Sequence, residues 1–98
     1  MRQLTAICMK QITFDDVRAT LYEMKIPAVS NIAIDKLHQA DFMSDLQMNE
    51  QQVLTFMVKI ERKYRVILPV GILDSLRRKN TVQTFIISAN HHLIDLDD

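Results

Sequence analysis

Apolar residues recur along this chain in four stretches at helical spacing, parted by segments in which that spacing fails. Phe14, Val17, Leu21 and Met24 form the first stripe, one apolar face of a helix. Thr13 and Asp16 stand ahead of it at capping-box spacing, and Ile12 is placed to staple onto Val17. That helix is expected to stop before Pro27, because the residue preceding a proline disfavours the α region. The second stripe, Val53, Phe56, Met57, Ile60 and Tyr64, has the best start signal in the chain. Asn49 suits the N-cap, Gln52 sits at the reciprocal position, and Met48 and Val53 have staple spacing. Residues 65–68 are rich in β-branched side chains and run into Pro69, which reads as an extended link. A short third helix over 70–79 turns Ile72, Leu73 and Leu76 inward. Arg77, Arg78 and Lys79 complement the dipole at its C-terminal end. Thr81 caps a fourth helix that buries Val82, Phe85, Ile86, Ala89 and Leu93.

Residues 27–48 form the long connection between the first two helices. It carries Ile32, Ile34, Leu37, Phe42 and Leu46, and a structureless run of that length is unusual inside a compact domain. A short helical turn over 33–38 fits it. The pattern therefore predicts one all-α, four-helix domain over residues 1–98. Residues 1–12 read as an N-terminal extension. Residues 94–98, with Asp95, Asp97 and Asp98, read as a frayed acidic tail.

Composition narrows the picture. Ninety-eight residues make one small domain, and a single glycine with two prolines argues against an all-β fold, which needs many tight turns. The lone cysteine, Cys8, excludes an intramolecular disulfide framework and suits a cytoplasmic setting. No apolar run approaches membrane-spanning length, and no signal-peptide pattern follows Arg2. His91 and His92 are adjacent, so on a helix they diverge by about 100° and do not share a metal, and no metal site is expected. No catalytic constellation stands out from spacing, and the expectation is a chain that is not an enzyme.

Between residues 40 and 69 the sequence carries a more specific pattern. Ala40, Phe42, Asp45, Leu46, Tyr64, Leu68 and Pro69 fall without a gap in the register of the acyl carrier protein family, which this stretch resembles. Thr81-Val82 is similar to the pair that opens that family's last helix, although the stretch between Pro69 and Thr81 is a few residues longer than usual. The resemblance implies a four-helix carrier-type bundle with a long first connection and a short third helix. It also implies an attachment serine for 4′-phosphopantetheine at the start of the second helix. Here the corresponding position is Glu50, flanked by Asn49 and Gln51, and a carboxylate cannot accept the arm. No cofactor is expected at that position.

A literal Asp-Ser-Leu occurs at Asp74, Ser75 and Leu76, but it lies inside the expected third helix with too little chain after it for the remaining helices. Ser44 precedes the expected position and reads as a loop or capping residue. These two serines are the alternative attachment points, and 4′-phosphopantetheine belongs only to that alternative. Glu50 itself complements the helix dipole, as any acid in a first turn does. A second reading makes it a fixed mimic of the modified serine's charge.

Net charge is zero, unlike the strongly acidic field on which the family's partner enzymes rely. Across 59–79, Lys59, Arg62, Lys63, Arg65, Arg77, Arg78 and Lys79 are opposed only by Glu61 and Asp74. The bland reading is a solvated face with favourable helix ends. The functional reading is a surface for an acidic protein partner, either a genuine acidic carrier or a synthase-type enzyme. The leading expectation is thus an accessory or interaction module of fatty-acid or polyketide type synthesis that has lost its phosphopantetheine site. A working carrier loaded at Ser44 or Ser75 ranks second. Nucleic-acid binding through the basic clusters ranks third, lowered by the neutral total charge and the few exposed aromatics.

Overall fold

The computed structural model describes residues 10–78 and 80–97, so the readings placed on Cys8, Lys79 and Asp98 lie outside the described residues. The chain is mostly helical, in the order α1 (Phe14–Glu23), a 3-10 turn (Pro27–Asn31), α2 (Ile34–Leu37), α3 (Glu50–Tyr64), β1 (Val66–Ile67), α4 (Val70–Arg77), α5 (Val82–His92) and β2 (Ile94–Asp95). Helix α3 packs against α1 and α4, and α5 packs against the same two helices.

Local chemistry sets the helix boundaries. Thr13 Oγ1 accepts the Asp16 N–H at 3.2 Å and opens α1. The expected reciprocal bond from Asp16 is absent. Tyr64 takes its place: the Thr13 N–H donates to the Tyr64 hydroxyl at 3.1 Å, and that hydroxyl donates to the Asp16 carboxylate. The far end of α3 is thereby tied to the start of α1. Helix α1 closes with Lys25 in the left-handed region at φ 59°, and the Ile26 N–H reaches back to the Leu21 carbonyl at 3.2 Å. This is the helix stop usually built on glycine, with buried Ile26 and Leu21 as its apolar pair.

At α3 the capping box is complete. Asn49 Oδ1 accepts the Gln52 N–H at 2.8 Å and Gln52 Oε1 accepts the Asn49 N–H at 2.9 Å. Asn49→Ala is expected to cost about 1 kcal/mol, read as a fall in the urea midpoint at constant slope. Helix α3 ends at Arg65, whose φ of 57° turns the chain into β1.

The long connection is ordered by what it gives to α5. The first N–H groups of a helix have no partner within it. Here the Val82 N–H donates to the Ala40 carbonyl at 3.0 Å and the Gln83 N–H to the His38 carbonyl at 2.9 Å, while Thr81 Oγ1 takes the Thr84 N–H at 3.1 Å. Asp41 and Thr81 form an isolated antiparallel bridge, and the Phe42 N–H donates to the Asn80 carbonyl at 3.2 Å. Stitched this way, the connection delivers Phe42 into the core. Its ring lies 5.2 Å from Phe56 and 5.7 Å from Phe85, and those two are 5.3 Å apart. All three are fully buried.

Two expectations about the chain's ends differ from the structure. Residues 10–12 are part of the domain, not an extension. Ile12 is buried, and the Asn90 side chain holds both its N–H, at 2.6 Å, and its carbonyl, at 2.9 Å. Nor are residues 94–97 of the acidic segment a frayed tail. Ile94 and Asp95 pair antiparallel with Ile67 and Val66, so the fold is helical with a small two-stranded ribbon, not purely α. The alternation Ile-Asp-Leu-Asp is the period-2 signal of a strand, too short to stand out beside the helical repeats before it.

Candidate functional site

Helix α3 carries most of the candidate chemistry, and its two ends differ. Glu50 is its first residue, exposed, with its carboxylate at the positive end of the helix dipole. Asn49 and Gln51 beside it are exposed as well. The nearest countercharge comes from α4, which runs back along α3 so that Arg77 Nε stands 3.9 Å from Glu50; the same guanidinium lies 3.8 Å from Asp74. These pairs are open to solvent and hold little energy of their own. They do bring a cation within reach of the Glu50 carboxylate, so any field from Glu50 is partly cancelled.

Neither alternative serine shares that environment. Ser44 is exposed in the turn made by Asp41, whose Oδ1 accepts the N–H groups of Met43 and Ser44, each at 2.9 Å. Ser75 is exposed too, but it lies in the last turns of α4, where the helix presents no unpaired N–H groups to an anion.

The basic residues that are close in sequence do not form one surface. Arg77 and Arg78 stand at the Glu50 end. Lys59, Arg62 and Lys63 lie toward the other end of α3, the last of them about 20 Å from Glu50 at the helical rise per residue. There the three line an open depression of about 330 Å³ with Thr20 and Glu23, and Lys59 Nζ is 3.6 Å from Glu23. Of the partner surface expected from sequence, Lys59, Arg62 and Lys63 therefore lie apart from Arg77, and Lys79 is outside the described residues.

The same end of α3 holds a cluster that residue spacing did not reveal. Lys10 Nζ lies 2.6 Å from Asp95 and 2.8 Å from Asp97, and donates to the Arg65 carbonyl at 3.0 Å. Arg65 meets Asp97 through Nε at 3.0 Å and through its terminal nitrogen at 2.9 Å. Hydrogen bonds from Arg65 and then Lys10 bring the Asp97 carboxyl down to about 2, and the bond from Lys10 lowers Asp95. Beside the cluster an open groove of about 450 Å³ runs between Val58, Glu61 and Arg62 on α3, Val66 and Ile67 on β1, and Leu96. Contacts between residues distant in sequence build this corner: Lys10 with Arg65 and Asp97, and Arg65 with Asp97.

His38 stacks on Phe14 with ring centroids 3.7 Å apart, and His91 and His92 meet edge to face at 4.9 Å. Among the described residues no three His, Cys, Asp or Glu side chains gather where they could hold a metal ion, and no helix is long and apolar enough to cross a membrane.

No family model, curated protein or solved structure matches the chain. The functional reading therefore rests on the residues and their arrangement alone.

Proposed function

We infer that this chain is an acyl-carrier-type helical module without a phosphopantetheine site, acting as a noncatalytic interaction or accessory partner in fatty-acid or polyketide type synthesis. The observation that carries this reading is Glu50, in the first turn of a capped α3 that follows a long connection plugged into the core by Phe42. An N-terminal turn with that approach is suited to hold an anionic group, and here the chain supplies its own carboxylate in place of a hydroxyl. The division of the basic residues into two patches favours a protein partner over a duplex, which would reward one continuous basic track. Lys59, Arg62 and Lys63 form the patch offered to an acidic partner, an acidic carrier or a synthase-type enzyme, because only Glu23 opposes them in their depression.

Intact-protein mass spectrometry after incubation with coenzyme A and a promiscuous phosphopantetheinyl transferase tests the reading. The expected result is no mass gain under conditions in which a control carrier loads fully. A single phosphopantetheine mapped to Ser44 or Ser75 would replace it with that of a working carrier modified at an atypical serine.

A further inference from the structure

Segment 94–97 reads Ile-Asp-Leu-Asp, and the fold receives each of its features with a different group. Its backbone pairs with β1, in register Val66 to Asp95 and Ile67 to Ile94, and the Leu96 N–H donates to the Arg65 carbonyl at 3.1 Å. Its two acids meet Lys10 and Arg65. Leu96 reaches the groove between α3 and β1. The receiving groups belong to the folded helical body. An extended chain with apolar and acidic residues in alternation is thus held at this site by backbone pairing together with side-chain contacts, the combination that serves affinity and selectivity where a strand is added to an edge.

The resident segment fits that site poorly. Ile94 remains 54% exposed and Leu96 55% exposed, and the groove beside Leu96 stays open. Two paired residues make a very short strand, and of the ion pairs that hold it the one between Arg65 and Asp97 is solvent-exposed, a kind that contributes little, whereas the Lys10–Asp95 pair is half-buried. A segment with the same alternation and larger apolar side chains would bury more surface in the same groove.

We propose that the β1 edge, with Lys10, Arg65 and the adjoining groove, is a docking site for an extended segment of another protein in which apolar and acidic residues alternate, and that residues 94–97 occupy it as a displaceable internal competitor. The proposal stands on this corner alone and not on the carrier resemblance, so the transferase assay and the experiment below can fail independently.

The test uses the full chain with Asp95→Lys and Asp97→Lys, which repel Lys10 and Arg65 and expel the segment. Binding of a labelled synthetic peptide copying residues 93–98 is read by fluorescence anisotropy. The variant is expected to bind the peptide about tenfold or more tightly than the native chain, since removing an intramolecular competitor removes its high effective concentration. A peptide with phenylalanine in place of the leucine corresponding to Leu96 should bind more tightly still, and one with asparagine for each aspartate more weakly. A folded variant that binds no better than the native chain overturns the proposal.

If the variant does not fold, amide exchange of the native chain decides. The Leu96 amide should exchange about a hundredfold faster than that of Phe56, through local release of the segment. Equal protection would mean that the segment never leaves without global unfolding, and the proposal fails. Dimerisation of the native chain by exchange of this segment between two copies would make the occupant a second copy, and would likewise overturn it.

Discussion

Phe56→Ala is expected to destabilise the protein by about 3–5 kcal/mol, a large share of what a domain of this size possesses. Phe56 is fully buried and touches both Phe42 from the long connection and Phe85 from α5. Truncation therefore opens a cavity where three segments distant in sequence meet, with no single element free to collapse into it. The loss includes edge-on aromatic contacts as well as transferred apolar surface. Urea denaturation followed by circular dichroism measures it as a lowered midpoint. An unchanged midpoint would mean that the face of α3 turned to the core is not the one described.

The second large effect is expected at Asp41, which is 4% exposed. Its Oδ1 holds the N–H groups of Met43 and Ser44, and its backbone bridges to Thr81, so one residue shapes the turn and fastens it to α5. Asp41→Ala should cost about 2–3 kcal/mol, because two part-buried hydrogen bonds to a charged acceptor are lost together. Asp41→Asn keeps an acceptor for the same turn and should cost less. Burial raises the pKa of this carboxyl, but the N–H groups of Ser44 and Met43 outweigh that and hold it below the usual value. A depressed native pKa stabilises the fold above the unfolded value of about 3.9 and loses that contribution as pH falls through the native one. The acid side of the stability profile should accordingly be shallower in Asp41→Asn than in the native chain, when both are followed by urea midpoints from pH 5 downward.

What the sequence disclosed depended on the range of the interaction. Asn49 with Gln52, Thr13 with Asp16, and Thr81 with Thr84 are neighbours within one turn, and their caps lie where three-residue spacing puts them. The apolar stripe of α3 was legible for the same reason, as was the short turn that became α2, whose flanking residues Ala33 and His38 match the range read from sequence. The part played by Tyr64 was not. It looked like one more core residue at helical spacing, yet its hydroxyl completes the cap of a helix almost fifty positions earlier. The basic cluster failed in the opposite direction. Lys63 and Arg77 are close in sequence, but the reversal at Arg65 and Pro69 sends α4 back along α3 and carries Arg77 to the Glu50 end. Glu50 itself was found by position alone, and its proximity to Arg77 depended on that same reversal.

Lys10 and Asp97, the first and last residues described, touch at 2.8 Å. The described chain therefore begins and ends at a single pole, the C-terminal end of α3. Glu50 and Arg77 lie at the opposite pole, about 20 Å away along the helix. A surface brought against Lys10 or against Asp97 would meet the same pole, with Glu50 facing away from it in either case.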